Sequence, residues 1–265
     1  MKANAPTLTH MIPSQGIVCA VASLGDDVFV ACNNSQQIEV YNATTFALQR
    51  NLTVSGIGNF AGGLAACAHH DSVYASGRNN KVHRVKLSGR NARKNWTVAK
   101  NPQGLSVNNA HNVVVACHGE HKLQEYTTRG TLLREINLQA GVTSPWHAVQ
   151  LSTDDYVVGC DSYPGMVSVV GVDGQVVHNY GQSYTSDVGD MRSPKALAVT
   201  SSDDILVNDE GKILLINRSL DSIQKLALPG GENNLQGLCL DEAGGRIYLC
   251  EKYAQRIFIF DGVQL

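Results

Sequence analysis

Thiols, imidazoles and carboxylates supply most protein nucleophiles, proton shuttles and metal ligands, and this chain sets several of them at corresponding places. Apolar runs end on Cys32, Ser76, Cys117, Cys160, Asp209 and Glu251, in the phrases VFVAC, SVYAS, VVVAC, YVVGC, ILVND and IYLCE. His118 and His121 follow closely on Cys117. Thiolates beside imidazoles are zinc chemistry, which needs four donors at one point. No Cys-x-x-Cys pair occurs, and residues ending separate runs stand too far apart to share an ion. The simpler reading makes the cysteines compact packing residues, so neither a metal nor a cofactor is expected. A reactive thiol would need an exposed, electropositive setting that sequence does not display.

Acid–base chemistry has four candidates: His147, Asp161, Asp209 and Glu251. They follow no triad order, nucleophile elbow or metal-ligand spacing. Catalysis is left open, the alternative being a small-molecule hydrolase or lyase with its site at the top mouth of a central channel, with the balance toward a non-enzymatic protein. A binding site has better support around residues 145–195. The phrase PWHAVQL carries Trp146 and His147 where related phrases carry Gln-Gly, and DSYPGM follows Cys160. The segment YGQSYTSDVGDMRSPK, residues 180–195, is rich in Tyr, Asp and Arg. Long loops of that composition on a rigid scaffold are where binding concentrates, although a tolerated surface insertion would look alike. The candidate ligand-binding residues are Trp146, His147, Asp161, Tyr163, Tyr184, Arg192 and Lys195.

The elements that must position these residues recur. The six run ends are spaced by 44, 41, 43, 49 and 42 residues. Each run is preceded by an anchor (SQGIV at 14, AGGLA at 61, PQGLS at 102, PWHAV at 145, PKALA at 194, LQGLC at 235) and followed by two further short apolar segments. These segments are rich in β-branched and aromatic residues and bounded by Gly, Asn, Asp or Ser. VDGQ at 172 and LSGR at 87 offer glycine where a tight hairpin needs positive φ. Four strands per unit at this period predict an all-β, six-bladed β-propeller of antiparallel blades. The last unit lacks its fourth strand, and TLTHMI, residues 7–12, is placed to supply it and close the ring. Residues 1–265 then form a single domain. Its blades span approximately 14–55, 56–100, 101–142, 143–190, 191–232, and 233–265 joined by 1–13. Cys32, Ser76, Cys117, Cys160, Asp209 and Glu251 are expected at the upper rim of the central channel.

The units resemble NHL repeats, most clearly in PQGLSVNNAHNVVVACHGEHKLQEYTTRGTLLREINL (residues 102–138) and LQGLCLDEAGGRIYLCEKYAQRIFIFD (residues 235–261). That family usually has aspartate at the end of the second strand, which Asp209 keeps and Glu251 approximates. Cys32, Ser76, Cys117 and Cys160 depart from it. The resemblance implies a propeller that binds RNA or protein, as the propellers of TRIM-type ubiquitin ligases do. No RING, B-box or coiled-coil segment accompanies it, so ligase activity is not implied. A related zinc-dependent lyase would need a histidine trio, and only the fourth anchor carries a histidine.

Composition narrows the partners. The chain has 265 residues, 43% hydrophobic and 17% charged, with net charge −2. No global basic field helps RNA binding. The top-face basic residues Arg78, His118, His121, Lys122, Lys195 and Lys252 are interspersed with Glu120, Asp161, Asp209, Glu210 and Glu251, a poor surface for tracking phosphates. The expected partner is a protein or small-molecule ligand at the top face of a monomer, with RNA ranked lower and no membrane. Seven cysteines, an odd number within apolar runs, suit a reducing compartment. No apolar signal core is visible at the start, so a cytoplasmic protein is expected. Sequons at Asn33, Asn42, Asn51, Asn95 and Asn217 leave a secreted origin open.

Overall fold

In the computed structural model, the described residues are 6–88, 93–162, 164–181, 191–219, 222–226, 228, 235–251 and 255–262. Strand β1 (Thr7–Pro13) is followed by blade one, formed by β2 (Val18–Leu24), β3 (Asp27–Cys32), β4 (Gln37–Asn42) and β5 (Leu48–Thr53). Blade two is β6 (Phe60–Cys67), β7 (Ser72–Gly77), β8 (Lys81–Lys86) and β9 (Arg93–Thr97). Blade three is β10 (Pro102–Val107), β11 (Val113–Cys117), β12 (Lys122–Tyr126) and β13 (Leu132–Asn137). Blade four is β14 (Pro145–Gln150), β15 (Tyr156–Cys160), β16 (Met166–Val170) and β17 (Val176–Tyr180). Blade five is β18 (Pro194–Val199), β19 (Ile205–Asp209), β20 (Lys212–Ile216) and β21 (Ile223–Leu226). Blade six is β22 (Leu235–Asp241), β23 (Arg246–Glu251) and β24 (Arg256–Asp261), completed by β1.

Each sheet is antiparallel and meanders outward from the axis, and the whole is a six-bladed β-propeller. Closure is as the repeat arithmetic requires: Ile12 pairs with Ile257 and Met11 with Phe258, along a register running from Thr7–Asp261 to Pro13–Arg256. The core is not one mass. Six apolar clusters each bridge two consecutive blades, from Phe29 and Phe60 between blades one and two to Ile12, Val28 and Tyr248 between blades six and one. A blade shows both faces to neighbours, which is why second strands such as VVVAC are apolar at every position rather than alternating. Among the described residues no helix is long and apolar enough to cross a membrane.

Turns between strands depend on backbone that only some residues adopt. Gly174, in the hairpin joining β16 to β17, has φ +81°. Its carbonyl accepts the Gln139 N–H at 3.0 Å, which ties blade four to the end of blade three. A Cβ there would stand 1.9 Å from the Asn137 carbonyl oxygen. Gly174→Ala therefore combines left-handed strain with a backbone clash. It is expected to lower stability by about 3 kcal/mol, read as a reduced urea midpoint with unchanged slope.

Two details of register differ from the sequence expectation. Blade one enters its inner strand four residues later than the anchor SQGIV suggests: Val18, not Ser14, pairs with Cys32 in the way that Pro102 pairs with Cys117. In blade two the bulge between Phe60 and Leu64 makes Gly77 the strand-end residue, so Ser76 lies one position earlier. With a side-chain period of two, that step turns Ser76 to the other face of its blade.

Candidate functional site at the upper end of the channel

The inner strands β2, β6, β10, β14, β18 and β22 surround the axis. Their register aligns Ala20, Gly63, Gly104, His147, Ala196 and Gly237 in one layer. Five of these are the two smallest residues, and the sixth is an imidazole. The His147 ring leaves its own blade and reaches both neighbours. Nδ1 accepts the Leu197 N–H at 3.0 Å, and Nε2 lies 3.0 Å from the Leu105 carbonyl oxygen. An acceptor at Nδ1 and a carbonyl facing Nε2 define the neutral ring with its proton on Nε2. Desolvation pushes the His147 pKa below the ordinary range, and only the bond to Leu105 opposes it. A Cβ at Gly104 would come within 2.4 Å of the ring, so glycine there is what admits the histidine. The remaining cavity is about 30 Å³, space for about one water.

This arrangement bears on all the sequence candidates. With both ring nitrogens committed to backbone, His147 has no lone pair or proton to offer a ligand. The strand-end residues do not line an open rim: Cys32, Cys117, Cys160 and Asp209 are fully buried, and so is Ser76 on its other face. The Ser76 hydroxyl accepts the Gly63 N–H at 2.9 Å and donates to the Gln103 carbonyl at 2.8 Å, stitching blade two to blade three. Cys32 sits under Gly16, and its thiol faces Glu39 Oε1 at 3.6 Å. Burial pushes the thiols of Cys32, Cys117 and Cys160 up to about 12. At neutral pH such buried thiols are protonated and behave as compact packing groups.

Asp209 Oδ1 accepts the N–H groups of Arg192 (2.9 Å) and Ser193 (2.6 Å), holding the entry to β18. Its Oδ2 has no hydrogen-bond partner among the described residues, and burial raises its pKa against those two bonds. Glu251, half-buried at the end of the second strand of the neighbouring blade six, is paired with Arg256 at 2.9 Å. The four acid–base candidates do not gather at one point: His147 is tied to backbone on both sides, Glu251 is paired with Arg256, and only Asp209 and Asp161 meet, both on Ser193.

Above the histidine layer the structure does bring residues together. Trp146, half-buried, has the Lys195 ammonium 5.2 Å from its ring centroid and the His118 ring edge-on at 5.6 Å. His118 Nδ1 lies 3.2 Å from Asn101 Nδ2, and Asn101 Oδ1 accepts from Gln103 Nε2 at 2.9 Å. Desolvation lowers the His118 pKa, with Asp161 acting against it. Asp161 in turn accepts the Ser193 hydroxyl, and Arg192, the residue before Ser193, is exposed. Thus Trp146, Lys195, Asp161 and Arg192 occupy one end of blades four and five. Tyr163, Tyr184 and Lys252 lie outside the described residues. Asn101, Gln103 and Ser193 were missed from the sequence. Their signal was position alone, immediately before or after the prolines and glycines of the anchors. Lys122, counted among the basic candidates, is held by Glu120 at 2.9 Å and Glu135 at 3.0 Å.

The architecture is that of a six-bladed propeller with a mixed aromatic and charged upper face. Solved structures match it over nearly the whole chain. Virginiamycin B lyase from Staphylococcus aureus, in a catalytically inactive form with quinupristin, aligns at TM-score 0.69 and 12% identity, covering 96% of this chain and 83% of that one. Hydrazine synthase of Kuenenia stuttgartiensis aligns at 0.68 and 13%, covering 95% and 97%. A streptogramin B lyase aligns at 0.64 and 11%, covering 97% and 96%. At such identities the likeness is one of fold. No protein-family model and no curated protein matches the sequence.

Proposed function

We propose that this propeller is an interaction module that docks a protein segment across its upper face, over Trp146. The observation that carries the reading is the half-buried indole, flanked by Lys195 and His118, above an inner layer in which His147 bridges blades three and five. Small-molecule sites engulf their ligands in roughly 300–1,000 Å³, whereas the cavity beneath Trp146 is about 30 Å³. A shallow face with a tryptophan and an exposed arginine has the composition of a protein-binding hot spot. Catalysis of the lyase kind is a weaker reading here, because His147 and Asp209 are tied to backbone groups and the thiols are neutral. The NHL-like reading is supported by Asp209, whose caps on Arg192 and Ser193 give a reason for aspartate at that position. Seven free cysteines, six of them buried, favour a reducing, cytoplasmic setting.

The test is a peptide-array or display screen against the purified protein, followed by titration of selected peptides. Trp146→Ala is expected to weaken binding by about 2 kcal/mol or more, roughly thirtyfold, with unfolding unchanged. Shortening the 180–195 segment, of which 182–190 lie outside the described residues, should also impair it. Peptides that bind equally well to Trp146→Ala, or a clear preference for RNA that falls steeply with salt, would sink the proposal.

A further inference from the structure

The face opposite Trp146 carries an open cavity of about 470 Å³ that the docking reading leaves unused. The turns that join inner to second strands in blades three to six form its walls. Val149 and Val199, half-buried near the ends of β14 and β18, supply its apolar part. The volume lies within the roughly 300–1,000 Å³ of small-molecule sites.

The polar walls are held by clasps between consecutive blades. Asn109 N–H donates to Gln150 Oε1 at 2.9 Å and Asn109 Nδ2 to the Leu151 carbonyl at 3.0 Å, joining blades three and four. Ser152 donates its N–H to Asp203 Oδ1 at 2.8 Å and its hydroxyl to Asp203 Oδ2, joining blades four and five. Ser201 donates its N–H to Glu242 Oε2 and its hydroxyl to Oε1, both at 2.8 Å, joining blades five and six. The clasps thus consume the hydroxyl protons of Ser152 and Ser201. What the walls keep for a guest is mostly lone pairs, because each carboxylate oxygen accepts more than one hydrogen bond. Charge points the same way. No Lys, Arg or His is among the described residues lining the cavity. Exposed Arg218 lies 3.4 Å from Asp203 Oδ2 and offsets that carboxylate. Glu242, and Asp154, Asp155 and Asp204 in the same set of turns, have no ion-pair partner among the described residues.

We infer that this lower cavity binds a linear aliphatic polyamine, its ammonium groups donating to Glu242 and Asp203 and its methylenes lying on Val149 and Val199. An ammonium brings donors and no acceptor, which is the complement of walls whose own protons are spent. An anion meets uncompensated carboxylates here, and a neutral polyol brings as many acceptors as donors and no charge. Arg218 competes for Asp203, so Glu242 carries the larger share of recognition. Because the clasps fix both carboxylates before a guest arrives, little ordering is left to offset the gain.

The experiment is calorimetric titration of the whole protein with spermidine, putrescine and butanediol at neutral pH and about 0.15 M salt, where loose surface attraction is screened. One spermidine per chain is expected, with putrescine weaker and no saturable uptake of the neutral diol. Glu242→Gln should weaken spermidine by about tenfold or more. Glu120→Gln, the same charge change on the upper face, should leave it unchanged. The amide resonances of Asn109, Ser152 and Ser201, which the clasps tie to the lining, should move as spermidine is added to the wild-type protein. Absence of saturable spermidine binding, heat without movement of those three resonances, or butanediol binding as tightly overturns the inference. So does a folded Glu242→Gln that binds spermidine as the wild type does. Urea midpoints of both variants separate lost binding from lost fold. Peptide docking over Trp146 is read on the other face, and neither outcome decides the other.

Discussion

Removing residues 1–13 will open the ring. Strand β1 contributes fully buried Ile12 to the cluster between blades six and one, and it covers the whole edge of β24. The carbonyl of Pro13 also accepts the Tyr41 hydroxyl at 3.0 Å, a contact into blade one. Burial of one isoleucine is worth about 1.5–3 kcal/mol, and each ladder hydrogen bond adds about 1 kcal/mol net. Their sum, on the order of 5 kcal/mol or more, approaches the whole stability of an ordinary domain. The edge left bare reads RIFIFD, apolar and rich in β-formers, which is a template for pairing between chains. The truncated protein should therefore appear as aggregate on size exclusion and bind a hydrophobic dye. Ile12→Ala, a milder lesion, should remain folded and lose about 2–5 kcal/mol in urea titration. A soluble truncated monomer with an unchanged urea midpoint would show that closure does not hold the ring.

His147→Ala is expected to be the most damaging single change near the axis. It strands the Leu197 N–H and the Leu105 carbonyl, each costing about 1–3 kcal/mol when left unsatisfied, and it empties the volume of a ring. A loss of about 3–5 kcal/mol follows. The same residue gives the change a pH signature. His147 is neutral in the folded protein with its pKa held down, as is buried His83, lowered from 6.5 to about 4. Below pH 6.5 the unfolded chain binds protons that the native rings refuse, so stability present above 6.5 is lost as pH falls toward those depressed values. For His83 the whole effect is about 3 kcal/mol. Urea titrations from pH 7.5 to 4.5 should show wild-type stability falling with acid. In His147→Ala the fall should be shallower by up to about 1.4 kcal/mol per pH unit, one proton's worth. Identical slopes would mean that the ring is not neutral in the native state.

The architecture was legible because its cause is local and repeated. Phrases such as VVVAC and YVVGC are apolar at every position, since both faces of a blade are covered, and their spacing counts the blades. TLTHMI was legible as the missing strand because every other fourth strand precedes an anchor. The site was less legible because it depends on bulges. The larger irregularity between Phe60 and Leu64 moves Ser76 off the strand-end position, and no residue type announces its size. The anchor of blade one was misplaced on Gly16 because Ala20 does the work that glycine does in blades two, three and six. Trp146 and His147 were both visible as departures from Gln-Gly. Their separate fates follow from the bulge between Pro145 and His147, which leaves Trp146 unpaired and sets His147 in the inner layer against blades three and five. That bulge can be read only once the register is known.

A hub whose inner layer carries one imidazole among five alanines and glycines leaves about 30 Å³ free at the axis, so the two ends of this toroid communicate mainly through the blades themselves. Such insulation would let a single small scaffold carry two unrelated occupants without either competing for the other's place.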